Sequence, residues 1–95
     1  MAIRYRIRIV AAAEDELRRL PVFYRRQVAQ AVSTYLATGP TRETASRIKK
    51  LRQPAASVYR LRVGEYKVFY DVSSDAVTVL HVRHTPQSSN LYEGP

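Results

Sequence analysis

The sequence predicts an α+β domain in which two helices from the N-terminal half pack on one face of a four-stranded, mainly antiparallel sheet. Apolar and basic residues alternate near the N-terminus, and a similar alternation returns over residues 59–70. Between these stretches, residues 11–37 carry apolar side chains at helical spacing. The 95 residues are 45% hydrophobic, which suits one domain over residues 1–95 with a polar tail from about residue 86.

The first predicted strand covers residues 3–9. Its apolar residues alternate with three arginines, so one face of the strand is apolar and the other is basic. Two interpretations of the basic face stay open: it binds an anion, or it simply keeps an outer surface in water. The three arginines are Arg4, Arg6 and Arg8.

Two helices are predicted to follow. The first begins with acids and ends with two arginines before Pro21, an order that matches the helix dipole. Residues 22–37 place apolar side chains on one side and form a second, amphipathic helix that ends before Gly39. The segment 41–51 is expected to add one or two helical turns before Pro54.

A β-hairpin is predicted from strands over residues 57–63 and 66–72. Gly64 opens the two-residue loop between them, which fits a type II′ turn and sets Arg62 directly opposite Lys67. Like charges at opposite positions destabilise a sheet by about 0.2–1 kcal/mol, and an anion between them would remove that cost. Alternatively, both side chains extend into water. A last strand, residues 76–83, is apolar on both faces and is expected inside the sheet.

The hairpin also places Arg60 on the face of Arg62 and Lys67, which no predicted helix covers. A further basic segment precedes the hairpin and is either a solvated connector or a set of additional contacts to an RNA backbone. It consists of Lys49, Lys50 and Arg52.

The composition predicts a polyanionic partner. The net charge is +8 and the pI is near 10.3, and thirteen of the sixteen cations are arginine, which binds phosphates and stacks on bases. Nucleic acid is favoured over an acidic protein segment or an anionic membrane. With no cysteine and only His81 and His84, no metal or other cofactor is expected. The sequence has no long apolar run, so we expect a soluble, cytoplasmic protein.

Three segments resemble the RelE/ParE superfamily of bacterial type II toxins. They are KKL at 49–51, YRLRVGEYKVFYDV at 59–72 and VLHVRH at 79–84, the last followed by Tyr92. The resemblance implies a toxin that forms a hetero-oligomer with a cognate antitoxin. In the RelE branch the toxin enters the ribosome and cuts mRNA, with a 2′-hydroxyl attacking the adjacent phosphate. In the ParE branch the target is DNA gyrase and no RNA is cut.

The resemblance also suggests catalytic residues. Arg60 and Arg62 fall where RelE-type enzymes have lysines, and Lys67 falls where they have an arginine. Arginine hardly releases its proton, whereas crowding by two arginines favours proton loss from Lys67, so Lys67 is the candidate for proton transfer. Thr85 stands where the family commonly has arginine, and Arg83 is a candidate to supply the missing charge.

Two aromatic side chains complete the predicted site. Tyr92 resembles a C-terminal tyrosine that stacks on a base in ribonuclease members, or it is an ordinary aromatic residue of the tail. His84 is a candidate for RNA binding or proton transfer, and His81 fits a structural role better. The resulting expectation is a ribosome-dependent, metal-independent mRNA endonuclease. The alternatives are a gyrase poison without nuclease activity and an inactive module that only binds an antitoxin.

Overall fold

The computed structural model describes residues 4–51 and 58–85. A π-helical turn, Val32–Leu36, continues the second helix without a break. The elements in chain order are β1 (Arg6–Ile9), α1 (Ala11–Arg18), α2 (Val22–Ala31), β2 (Ile48–Lys50), β3 (Val58–Val63), β4 (Tyr66–Val72) and β5 (Ala76–His84).

The strands form one sheet in the order β1-β5-β4-β3-β2. The pair β1 and β5 is parallel, and the other three pairs are antiparallel. The predicted fold class is therefore confirmed, although the sheet has five strands in the described part of the chain instead of four. The strand β5 lies between β1 and β4, as expected for a segment that is apolar on both faces.

The fifth strand is β2, and it lies where the sequence predicted helical turns. That prediction was wrong because local side-chain contacts favour a tight turn over a helix. The Thr44 hydroxyl accepts hydrogen bonds from the backbone N–H groups of Arg47 and Ile48, at 3.0 and 3.3 Å. Ile48 is then buried opposite Leu61 of β3, so its apolar side chain enters the core through strand pairing.

The hairpin between β3 and β4 is built as predicted. Gly64 has a φ of 59°, and no other described residue has a positive φ, so the turn is of type II′ and not type I′. Val63 pairs with Tyr66, and Arg62 pairs with Lys67. This turn chemistry fixes which side chains share a face over both strands.

The hydrophobic core lies between the helices and one face of the sheet. Ala13 of α1 and Val28 of α2 are fully buried against this face, and the inward side chains of the three long strands are buried there too. Both helices pack on this face of the sheet, and within residues 4–51 and 58–85 no helix covers the opposite face. The fully buried sheet residues include Leu61, Val68, Tyr70 and Val77.

The remaining boundaries differ little from the expected ones. The first strand begins at Arg6, and residue 3 of its predicted range lies outside the described residues. Residue 57, where the strand now called β3 was predicted to begin, also lies outside them. The polar tail predicted from about residue 86 also lies outside them. Among the helices that the structure describes, none is both long enough and apolar enough to cross a bilayer.

Candidate functional site

Three cationic side chains project from the face of the sheet that is opposite the helices. On β3, Arg60 and Arg62 alternate with residues that are buried in the core, and on β4 Lys67 lies between two buried residues. Arg62 and Lys67 are directly opposite each other, as the sequence predicted. Their Cβ atoms are therefore about 4.5–5.5 Å apart.

Neighbouring strands extend this set. Arg83 of β5 pairs with Lys67 on the side away from Arg62, and Lys49 of β2 pairs with Arg60. We call these five residues, Lys49, Arg60, Arg62, Lys67 and Arg83, the basic cluster. It spans four adjacent strands, so its charges converge because the sheet pairs them and not because they are close in the sequence.

The central cations of the basic cluster are not neutralised by the protein. Within the described residues, no carboxylate lies within 4.0 Å of the charged groups of Arg60, Arg62 or Lys67. The Nε atom of Arg60 is buried and has no hydrogen-bond partner in that part of the chain. Burial lowers the pKa of Arg60, and the positive charge of Arg62 lowers it further. An anion bound here would relieve both costs.

Arg83 differs from the other members because an acid holds it. The Oε2 atom of Glu16, on α1, lies 3.4 Å from Nε of Arg83. The other oxygen of Glu16 accepts a 2.7 Å hydrogen bond from the backbone N–H of Val82. The acids of the first helix match the helix dipole, and nothing in their spacing reveals this contact, which joins residues more than sixty positions apart.

Two ring side chains lie on the same face beside the cations. Phe69 pairs with Arg60 on one side and with His81 on the other, and both rings are partly exposed. Nδ1 of His81 lies 3.4 Å from Nη2 of Arg83. A flat apolar ring between cations suits stacking of a nucleic-acid base. Phe69 was not among the predicted site residues, although its alternation with Val68 and Tyr70 places it on the same face as Lys67.

His84 and Lys50 do not join the basic cluster. His84 pairs with Tyr66, and their ring centroids are 4.8 Å apart on the side of the helices. Its Nε2 atom lies 3.0 Å from Oε1 of Glu65 in the hairpin turn. Lys50 follows Lys49 on β2 and therefore points to the other side of the sheet. The other two predicted site residues, Arg52 and Tyr92, lie outside the described residues.

The described residues offer no metal-binding group of three or more His, Cys, Asp or Glu side chains. What the uncovered face of the sheet presents is fixed positive charge, hydrogen-bond donors and a flat ring, together with one carboxylate, that of Asp71. These groups suit an anion that carries planar bases.

Comparisons with known proteins place the chain in a family. A family model described as the ParE toxin of the type II toxin-antitoxin system, parDE, matches residues 7–88. No curated protein sequence matches the chain.

Solved structures of toxin-antitoxin complexes share the fold. The RelBE2 complex from Mycobacterium tuberculosis contains a chain that is 26% identical, with a TM-score of 0.76, and the match covers 86% of this chain and 92% of that one. The archaeal RelE-RelB complex from Pyrococcus horikoshii gives 22% identity and a TM-score of 0.70, covering 90% and 99%. A RelE mutant from E. coli, in complex with a RelB peptide, gives 24% identity and a TM-score of 0.66. The match covers 96% of this chain and 93% of that one.

The family match covers most of the chain, and the shared fold agrees with it. The protein therefore belongs to the ParE toxin family of type II toxin-antitoxin systems, within the RelE/ParE superfamily.

Proposed function

We propose that this toxin is a ribosome-dependent mRNA endonuclease that binds the scissile phosphate with the basic cluster. The observation that carries the proposal is the set of three cations, Arg60, Arg62 and Lys67, that share the uncovered face of the sheet with no carboxylate partner in residues 4–51 and 58–85. Two of them, Arg62 and Lys67, are directly opposite each other. A sheet gains no stability from this arrangement, whereas a phosphate between the side chains would gain charge-assisted hydrogen bonds.

The proposed reaction needs no group from outside the RNA and the protein. A 2′-hydroxyl of the RNA loses its proton and attacks the adjacent phosphorus, and the bond from phosphorus to the 5′-oxygen breaks. The leaving 5′-oxygen takes up a proton, so the products are a 2′,3′-cyclic phosphate and a 5′-hydroxyl. Arg60 and Arg62 would hold the phosphate oxygens as negative charge develops on them. Lys67 would accept the proton of the 2′-hydroxyl and return it to the leaving 5′-oxygen, because arginine stays protonated and cannot accept it.

Two further groups have proposed roles around this centre. Arg83 would add positive charge beside Lys67 in place of the arginine that Thr85 replaces. Phe69 offers a ring on which a base can stack, and Tyr92 stays a prediction for the same role. Lys49 would bind a neighbouring phosphate. The proposed target is cytoplasmic, so we place the toxin in the cytoplasm.

A cognate antitoxin is the proposed partner in the resting state. Three similar solved structures are complexes of a RelE-type toxin with a RelB antitoxin or its peptide. An antitoxin segment that covers the basic cluster should carry acidic residues, so its affinity should fall as the salt concentration rises. An affinity that does not change with salt would indicate a mainly apolar interface.

The decisive experiment is the double substitution Lys67→Ala with Arg62→Ala. We expect growth inhibition and mRNA cutting on ribosomes to disappear while the circular dichroism spectrum stays unchanged, because both side chains leave the core untouched. The matched control is Arg26→Ala with Arg42→Ala, which removes two charges from exposed positions of α2 and the loop beyond it. Cutting that survives the first pair of substitutions would refute the assignment.

A second candidate function is poisoning of DNA gyrase through protein contacts. The family model that matches is that of ParE. The chain also has Arg60 and Arg62 where RelE-type enzymes have lysines, and Thr85 where they commonly have arginine. This function predicts gyrase-dependent DNA breaks with intact mRNA after induction of the toxin alone. Mapping mRNA ends and DNA breaks in the same cells separates the two candidates. An inactive antitoxin-binding module would give neither signal and no growth inhibition.

A further inference from the structure

Glu16 reaches the basic cluster from a different layer of the molecule. It lies on α1, and its carboxylate reaches β5 just beyond the point where β1 stops pairing with that strand, at Ile9 and Val79. The backbone N–H of Val82 is therefore free of a strand partner on that side. Oε1 of Glu16 accepts its hydrogen bond at 2.7 Å, which fixes the carboxylate in position.

The second carboxylate oxygen holds Arg83. Oε2 lies 3.4 Å from Nε of Arg83, while Nη2 of the same guanidinium lies 3.4 Å from Nδ1 of His81. Two of the three guanidinium nitrogens therefore have partners. The third, Nη1, has none in the described part of the chain. The side chain of Glu16 is 25% exposed and that of Arg83 is 57% exposed, so a half-buried anchor holds an accessible cation.

We infer that Glu16 is a positioning residue for phosphate binding: it holds the Arg83 guanidinium beside Lys67 so that the free nitrogen can bind the RNA. The inference rests on the proposed function. Arginine has many rotamers, and holding it in advance removes an ordering cost from binding. Misplaced binding groups lower reaction rates by large factors, so loss of the anchor should be measurable.

Glu16 also has an effect that opposes phosphate binding, since a carboxylate near a phosphate site repels the phosphate. The carboxylate contacts Nε of Arg83, whereas Nη1 is the nitrogen that is free for the phosphate. The ion pair with Arg83 offsets part of the carboxylate's negative charge, which weakens this repulsion. Positioning should therefore outweigh it. An increase in activity on removal of the charge would show that Glu16 acts as a brake and would overturn the inference.

The test uses the full chain with Glu16→Gln, which keeps an oxygen for the Val82 N–H and removes the charge that holds Arg83. The matched control is Glu14→Gln on the same helix, because the only ion pair of the Glu14 carboxylate within the described residues is with Arg18. We expect kcat/KM for mRNA cleavage on ribosomes to fall on the order of 10-fold with Glu16→Gln and to stay unchanged with Glu14→Gln.

A double-mutant cycle separates positioning from a general structural effect. If Glu16 acts through Arg83, the double variant Glu16→Gln with Arg83→Gln should be no slower than Arg83→Gln alone. Additive losses would overturn the inference, since they would mean that Glu16 acts elsewhere.

A binding measurement keeps the inference testable if the proposed function fails. Inorganic phosphate is titrated while the Nε–H signal of Arg83 is followed by NMR. We expect Glu16→Gln, and not Glu14→Gln, to weaken the response several-fold and to broaden the Arg83 signal. An unchanged response overturns the inference. A weakened response in a protein that cuts no mRNA would retain the positioning role of Glu16 and reject only the nuclease.

Discussion

The hydroxyl of Tyr70 donates a 2.6 Å hydrogen bond to the carbonyl oxygen of Pro40, and both side chains are fully buried. Tyr70 lies on β4, whereas Pro40 lies in the loop that follows the π-helical turn. The bond therefore fastens that loop to the strand that carries Lys67 on its other face. Its loss would leave a buried carbonyl group without a partner, which costs more than the bond itself contributes.

Tyr70→Phe should lower the free energy of unfolding by about 1–3 kcal/mol, because it removes the donor and leaves the Pro40 carbonyl unsatisfied. Urea denaturation measures the change. Tyr35→Phe is the matched control, since the Tyr35 hydroxyl has no hydrogen bond within residues 4–51 and 58–85, and it should change stability by less than about 0.5 kcal/mol. Equal losses in the two variants would contradict the role of this bond.

The same tyrosine should make the fold sensitive to alkaline pH. Burial raises the pKa of Tyr70 well above its ordinary value, and the neighbouring Tyr59 raises it further. The folded protein therefore keeps this proton more tightly than the unfolded chain does. Its contribution is complete below the unfolded pKa of about 10 and is lost progressively as the pH rises above that value.

Stability profiles of the wild type and of Tyr70→Phe test this dependence. Between about pH 9 and pH 11, the stability of the wild type should fall more steeply than that of the variant, because only the wild type contains this buried ionisable group. Thermal unfolding across the pH series supplies the measurement. Parallel profiles would show that Tyr70 does not contribute to the loss of stability at alkaline pH.

The hairpin turn offers a comparison between two glycines. Gly64→Ala should destabilise the protein by roughly 1 kcal/mol, since φ at this position is 59° and a Cβ atom there is strained, although it would meet no atom within 4 Å. At Gly39 a Cβ atom would make only ordinary contacts, the nearest at 3.7 Å to Cβ of Arg42. Gly39→Ala should therefore be neutral or stabilising by up to about 1 kcal/mol.

Chemical denaturation of the two variants decides between local strain and a general loss of backbone freedom. If both alanine variants lose the same stability, the positive φ of Gly64 does not matter. If Gly64→Ala also shifts the pairing of Arg62 with Lys67, mRNA cutting should fall by more than the loss of stability explains. Hydrogen exchange of the β3 and β4 amides would detect such a shift in register.

The hairpin was predictable because its signals are local. Gly64 sets the turn, and strict alternation sets the faces, so the pairing of Arg62 with Lys67 followed from twelve consecutive residues. The strand β2 was not predictable in the same way. Its three residues form a strand because Thr44 makes a turn and β3 offers an unpaired edge, and neither condition shows in the periodicity.

The candidate site divides along the same line. Lys67 and Arg83 are neighbours because β4 pairs with β5 in one register, with an irregularity between Phe69 and Tyr70 that alternation alone does not reveal. Glu16 reaches Arg83 only because α1 packs beside β5. Closeness in the sequence is equally unreliable: His84 follows Arg83 directly, yet it lies on the opposite face of the sheet.

The pairing of Arg62 with Lys67 should itself be measurable as lost stability. Arg62→Gln removes one of two opposed cations and should raise the free energy of unfolding by about 0.2–1 kcal/mol at low salt. The gain should shrink as added salt screens the repulsion. Arg42→Gln is the control, because it removes one exposed positive charge that has no cation opposite it on a neighbouring strand.

Urea denaturation of both variants at low and high sodium chloride gives the answer. A gain for Arg62→Gln that equals the gain for Arg42→Gln would mean that only net charge matters and that the opposed pair carries no specific cost. A larger, salt-sensitive gain, together with loss of mRNA cutting, would show that the toxin keeps a destabilising pair because the pair binds phosphate. If Arg62→Gln gains this stability and still cuts mRNA, the repulsion between Arg62 and Lys67 has no function in RNA cleavage.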